Sequence, residues 1–596
     1  MQTMLPMKRQ AAAALLLLLA AGPVRAAPSP VADLHAVIDA YDIWLDQADP
    51  VTASARGDLR AAALWPDDSL QAVAARNAQL RAFQARLRAI PAAALTGEDA
   101  LNLALLTWRV DIGVAGARFD EERIPFTSDE GFYVVPFYTA GETVLRTPGD
   151  VQAWLSRLRN LAGYYATETA NMRRGLATGF VQPRQTALAA ARATKASADT
   201  PAARDPLMAP FATLPATIPP AEAAAWRAQG LEIMRTQVKP AERKLADFFQ
   251  TEYLPKARSS IGAAALPDGR AYYAWLVRRE TTTDLTPDEI FATGQAEIKR
   301  IRAAMEAEIA ATGFKGSFAD FQAMLRHDPR FYVTTPEALL EKASRLAKLV
   351  DDQLPRFFGK LPRLSYGVRP VQAEIAEGYT SARYNPGSPQ LGVAGGLMIN
   401  TTHLDQRPLY ELPALVAHEG APGHHIQIAL GQELTGLPSF RAYSDITAFV
   451  EGWAVYAEQL GADMGLYRTP YDRFGMLSME MWRACRLVMD VGIHWKGFSR
   501  DQALSCLRDN TALAEKNMQS EVDRYIAWPG QALGYKIGEL KIMALRRRAQ
   551  AALGPRFDMR AFHDVVLDEG VMPLSVLEAR VTAWLSGQVD PSSRGK

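Results

Sequence analysis

Twelve residues constrain this chain more than any other stretch: Val416-Ala417-His418-Glu419-Gly420-Ala421-Pro422-Gly423-His424-His425-Ile426-Gln427. The protein has 596 residues and eight histidines, and three of those histidines fall here, beside a glutamate. One buried histidine is usually a satisfied core residue, whereas three next to a carboxylate have the composition of a metal site. Two histidines at i and i+4 of one helix converge on a single Zn²⁺, and a Glu following the first activates the bound water. Here the second histidine comes six or seven residues after His418, as His424 or His425. An i to i+7 step keeps the helix face but rises roughly 10 Å, too far for two imidazoles to share one ion at about 2.1 Å. Pro422-Gly423 offers a way out, since proline removes a backbone donor and glycine tolerates positive φ. The spacing therefore predicts a bulged helix that returns the later histidine to the ligand position.

A third ligand has to come from another element. Glu451 lies 26 residues beyond His425, in the apolar run Phe449-Val450-Glu451-Gly452-Trp453-Ala454-Val455-Tyr456-Ala457-Glu458. A helix, a turn and a returning antiparallel helix fit that interval. Apolar neighbours on both sides argue that Glu451 faces the metal and not solvent.

The rest of the chain reads as helix. Thr286-Pro287-Asp288-Glu289, Thr335-Pro336-Glu337 and Ser499-Arg500-Asp501-Gln502 are helix starts, each with a capping hydroxyl. Strand-like patterning is scarce. Its best candidate is Leu391 to Asn400, which follows a Pro- and Gly-bearing loop and could pair with an extended peptide. Residues 195–220, rich in Pro, Ala and Thr, are expected to form a long surface connection. Cys485 and Cys506 are the only cysteines, and they either bridge two neighbouring helical segments or remain buried thiols.

Lys8, Arg9, the apolar run Ala11 to Ala21 and Val24-Arg25-Ala26 have the order of a secretory signal cleaved after Ala26. The run is too short to cross a bilayer of roughly 30 Å. Sixty-six basic against 65 acidic residues leave no electrostatic footprint for nucleic acid. The expected mature protein is periplasmic or secreted, with no stable membrane insertion.

His-Glu-x-x-Pro-Gly-His-His-x-Gln at 418–427, followed by Glu-Gly-Trp-Ala-x-Tyr-x-Glu at 451–458, resembles the bacterial domain-of-unknown-function family numbered 885. Arg483 to His494 and Arg524 to Gly538 look like further blocks of it. That family is regarded as metallopeptidase-like and related to helical Glu-zincins such as angiotensin-converting enzyme and oligoendopeptidases. The resemblance implies a mainly α-helical, two-lobed fold around a deep cleft, with a small β-sheet at the cleft and one zinc ion per chain. The lobes are drawn at about 27–255 and 256–596, within a single domain. Aligning Gly-His-Ile-Gln of converting-enzyme-like proteins with His425-Ile426-Gln427 favours His425 over His424 as ligand, beside His418 and Glu451. His424 would then face the cleft or bond a supporting carboxylate such as Glu458. Glu419 is the expected proton shuttle in hydrolysis of a peptide substrate. His494, Tyr525 and Tyr535 are candidates to stabilise the oxyanion, although either tyrosine could instead be a core aromatic. Arg524 could hold a substrate carboxylate or form a surface ion pair. Two other functions fit the same residues: a zinc hydrolase of a non-peptide amide or ester, and a scaffold whose metal is structural.

Overall fold

The computed structural model describes residues 29–128, 130–372, 376, 380–389 and 392–589. The expected signal at 1–26 lies outside them. Helices begin where the caps place them. Thr286 and Glu289 exchange side-chain and backbone bonds at the start of α1 (Pro287–Thr312), and Ser499 and Gln502 do the same ahead of Arg500–Asn510. The Pro336–Phe357 helix starts from Thr335 and buries Leu339, Ala343, Val350 and Leu354, spaced for one face. The protein is mainly helical with one small sheet, as the sequence predicts.

That sheet has three strands, β1 (Tyr366–Pro370), β2 (Ala382–Asn385) and β3 (Gly395–Ile399), in the order β1-β3-β2. The segment expected to pair with a peptide supplies β3. β3 is central, bonded to β1 in parallel and to β2 antiparallel, so both its edges are taken. The outer strand on the cleft side is β2 instead.

Two large apolar clusters fill the interior. One draws on residues between Trp65 and Leu254, including Trp154, Leu158 and Phe249. The other runs from Leu34 to Leu585 and includes Trp453, Tyr525 and Phe562. Leu34, Phe83 and Leu106 belong to this second cluster, so the helices that carry them pack with residues of the carboxy-terminal half. The expected surface connection at 195–220 is corrected. Leu207 and Phe211, in a short 3₁₀ segment, are at most 1% exposed and help fill the first cluster. Cys485 and Cys506 form a disulfide between α5 (Pro470–Val491) and the Arg500–Asn510 helix. No helix among the described residues is long and apolar enough to cross a membrane.

The centre is a stack of helices: α2 (Leu412–Glu419), α3 (His424–Glu433), α4 (Thr447–Asp463), α5, α6 (Glu515–Ala527) and α7 (Leu533–Leu553). α4 packs on both α2 and α7. The α4–α7 crossing is close because it is glycine on glycine: a Cβ on Gly452 would lie 2.5 Å from the Gly538 Cα. This approach carries Tyr535, at the start of α7, onto Glu451.

Candidate metal centre

α2 and α3 are two helices, not one bulged helix. α2 ends at Glu419, and Gly420, Ala421, Pro422 and Gly423 turn the chain before α3 begins at His424. Gly423 has no substitute here, since a Cβ would fall 2.0 Å from the His418 carbonyl oxygen. The Trp453 indole N–H donates to the Pro422 carbonyl at 3.0 Å and ties this turn to α4. With the helix broken, residue counting along one face no longer applies, and the first residue of α3 points back at His418.

His418, His424 and Glu451 consequently converge, each offering a ligand atom within 4.8 Å of the others. Both His418 Nε2 and His424 Nε2 lie 3.5 Å from Glu451 Oε2. A tetrahedral ion with bonds of about 2.1 Å separates its ligands by roughly 3.4 Å. Glu451 Oε2 and His424 Nδ1 are buried without a hydrogen-bond partner. Two imidazoles and a carboxylate are a zinc-type donor set, so the residues present fit the expected ion.

The preference for His425 is thereby corrected. Its Nδ1 meets the Tyr384 hydroxyl at 3.0 Å, and its ring packs on Tyr366 with centroids 4.3 Å apart. Burial pulls its pKa down to about 4, so it is a neutral brace for β2. One residue along a helix turns the side chain by about 100°, which separates these two neighbouring histidines completely.

Glu458, two turns after Glu451 on α4, supports His418 and not His424. Its Oε1 accepts from His418 Nδ1 at 2.8 Å and from Arg483 Nη2 at 3.0 Å. That bond fixes the His418 tautomer so that the Nε2 lone pair faces the cluster. Burial disfavours protonated His418, but hydrogen bonds to Glu451 and Glu458 outweigh it and raise its pKa to about 9. Burial alone would raise Glu451, yet the two histidines hold it well below the usual carboxylate range.

The cluster opens on a cavity of about 430 Å³. Glu419 lines it, and its Oε2 accepts from the Tyr384 backbone N–H at 2.8 Å. Tyr535 lines it as well, and its hydroxyl donates to Glu451 Oε1 at 2.8 Å. Arg524 reaches the same wall, giving Nη2 to Gln531 Oε1 at 2.9 Å and to the Tyr535 hydroxyl at 3.3 Å. His494 and Tyr525 are not brought there, which corrects both expectations. His494 is fully buried, with Nδ1 accepting from the Ala263 N–H and Nε2 donating to the Tyr525 carbonyl. Its pKa is lowered to about 3, first by burial. The Tyr525 hydroxyl donates to Glu521 and accepts from Trp482 and Arg486, leaving nothing for a substrate. Sequence reasoning missed Tyr384 and the pair Arg483 and Arg486. The signal for the arginines was present: two cations one turn apart in a helix rich in Met, Leu and Val.

A family model described as "Bacterial protein of unknown function (DUF885)" matches residues 50–581. The crystal structure of a candidate lipoprotein from Colwellia psychrerythraea superposes with a TM-score of 0.87 at 26% identity, over 94% of this chain and 100% of that one. A candidate lipoprotein of unknown function from Shewanella oneidensis has the same fold, with a TM-score of 0.71, 17% identity and coverage of 93% and 99%. No curated protein matches the chain at a significant level.

Proposed function

We propose, from the premise that the chain belongs to the DUF885 family of bacterial proteins of unknown function, that it is an exported zinc-dependent peptidase with a zincin-like cleft. The observation that carries this is the convergence of His418, His424 and Glu451 from three helices, next to a carboxylate outside the group, Glu419. A purely structural metal site has no use for that fourth side chain. Zinc bound there would supply Lewis acidity and a water acidic enough to be deprotonated near neutral pH.

The chain's own residues do the remaining work. The Tyr384 N–H holds Glu419 Oε2, leaving Oε1 to take a proton from the attacking water and return it to the leaving amine. Glu458 keeps the His418 imidazole oriented, and Arg483 holds Glu458. Tyr535, which lines the cleft beside Glu451, is placed to donate to a developing oxyanion once its hydroxyl turns from the Glu451 oxygen it bonds at rest. The edge of β2 offers backbone groups to an extended substrate. Export is supported by the pattern of residues 1–26 and by the lipoprotein descriptions of the two similar structures.

The test combines elemental analysis with a peptide library whose products are mapped by mass spectrometry. The parent should hold close to one zinc per chain and cleave a subset of the library. Glu419→Gln should keep zinc and melting temperature while hydrolysis falls by roughly 10²–10⁴. Full activity in Glu419→Gln would end the proposal. A parent that cleaves esters or non-peptide amides but no peptide would move it to another acyl class.

A further inference from the structure

α5 is apolar along most of its length, yet Arg483 and Arg486 lie on it one turn apart, 3% and 2% exposed, in the wall of the cleft. Arginine is rarely buried unless it is paired, and neither of these is fully paired. Arg483 gives Nη2 to the Glu458 oxygen that His418 already uses, while its Nε and Nη1 have no partner. Arg486 gives Nε to the Tyr525 hydroxyl and Nη2 to Glu521 at 3.0 Å, and its Nη1 has no partner. Arg524, on α6, approaches the same Glu521 at 3.7 Å and leaves 24% of its side chain exposed. Three guanidinium groups therefore share two carboxylates, Glu458 and Glu521, along this wall. Glu411, Glu419, Asp445 and Glu451 line other parts of the cleft, so the excess of guanidinium groups is confined to this wall.

The surplus is close to the reaction centre. The Tyr535 hydroxyl touches both Glu451 Oε1 and Arg524 Nη2, so Arg524 stands one hydroxyl group away from the cluster. The Arg486 guanidinium lies 3.8 Å over the Tyr535 ring and fixes that hydroxyl from behind. An extended residue spans roughly 3.3–3.6 Å, so an anion on Arg524 would belong to the residue at, or next to, the scissile bond. A planar fork of N–H donors recognises a carboxylate better than it does other anions of a peptide.

We propose that the cleft seats a carboxylate of the substrate on Arg524, with Arg486 and Arg483 keeping that wall positive. This rests on the peptidase reading above and adds to it a substrate class: peptides with a carboxylate beside the cleaved bond. The carboxylate is either a free C-terminus or an Asp or Glu side chain.

The kinetic test takes the best-cleaved library peptide in four forms: free acid, C-terminal amide, and each of these with its Asp and Glu changed to Asn and Gln. Removing the recognised carboxylate should lower kcat/KM at least about tenfold, and the form that suffers identifies its source. Arg524→Gln should bring the charged-to-neutral ratio towards one, and Arg524→Lys should restore part of it. Equal rates for all four forms, or a preference that survives Arg524→Gln, would overturn the proposal while leaving the peptidase reading intact. Calorimetry tests the seat without catalysis. N-benzoylglycine should bind the parent at least about tenfold more tightly than N-benzoylglycinamide, and Arg524→Gln should erase the difference. A difference that persists in Arg524→Gln means the metal, and not the arginine, takes the carboxylate, and overturns the proposal. A protein that shows this binding preference but cleaves nothing would keep the seat and lose the peptidase.

Discussion

Two buried polar clusters in this molecule are built from similar residue types and end differently. In the amino-terminal core, Lys239, Asp205 and Glu242 are each at most 3% exposed. The Lys239 ammonium donates to Asp205, to Glu242 Oε2 at 2.7 Å and to the Ser197 carbonyl at 2.8 Å. The second oxygens are used too, Asp205 Oδ1 by the Leu207 N–H and Glu242 Oε1 by the Ser197 hydroxyl. At the cleft, His418, His424 and Glu451 leave a carboxylate oxygen and an imidazole nitrogen without partners. A polar cluster that serves only the fold closes on itself, because each orphaned atom would cost about 1–3 kcal/mol. A cluster that holds two imidazole nitrogens 3.5 Å from one unpartnered carboxylate oxygen points to a ligand.

The comparison breaks first at Lys239. Lys239→Met strands two buried carboxylates, which costs about 3–5 kcal/mol. Thermal unfolding should begin at a markedly lower temperature while zinc content per folded chain stays at the parent value. The loss should be smaller at pH 5 than at pH 8, because burial already raises the Glu242 pKa and protonation relieves the stranded charge. A variant as stable as the parent would remove the contrast.

The next effect separates the neighbouring histidines. His424→Ala removes one of three protein ligands and should cut bound zinc to about a tenth or less, whereas His425→Ala should keep most of it. Elemental analysis after gel filtration reads this directly, and the reverse result would restore the ligand choice made from the sequence. Glu458→Gln comes after these. Losing the charge behind His418 Nδ1 should weaken zinc affinity about 10–100-fold with the site otherwise intact. Competition against a chelator measures it.

These tests also mark what the sequence could and could not reveal. Caps such as Thr286 and Ser499 act within four residues, so helix starts are legible from local chemistry. That His418 and Glu451 come together beside Glu419 was legible because a run of histidines and carboxylates restricts residue type as well as spacing. The choice of His424 was not. It depends on the phase lost between Glu419 and His424, where four residues break the helix, and periodicity carries no information across such a break. His494 and Tyr525 misled for a related reason, since a buried histidine tied at both nitrogens has the same local sequence as one facing a cleft. The wall formed by Arg483, Arg486 and Arg524 depends on which carboxylates lie across the cleft, and that is a tertiary fact.

The smallest expected effect concerns the histidines that resemble the cluster only in being buried. His494 and His563 are closed pairs of bonds: His563 takes the Tyr456 hydroxyl proton at Nε2 and gives Nδ1–H to the Phe357 carbonyl. Burial depresses the pKa of each to about 3, against about 6.5 in an unfolded chain. Above pH 6.5 both states are neutral and the full contribution to stability is present. As pH falls below 6.5 the unfolded chain binds a proton that the folded protein refuses, so stability is lost progressively towards pH 3. The slope is up to about 1.4 kcal/mol per pH unit for each histidine. His494→Gln supplies an acceptor for the Ala263 N–H and a donor for the Tyr525 carbonyl without titrating. Its denaturation midpoint, followed from pH 7 to pH 5, should fall less steeply than that of the parent by up to one proton's worth. Carboxylates that titrate in the same range are common to both proteins and cancel in the difference. If the two slopes coincide, His494 is not held neutral, and closed bonding does not distinguish it from the open histidines of the cleft.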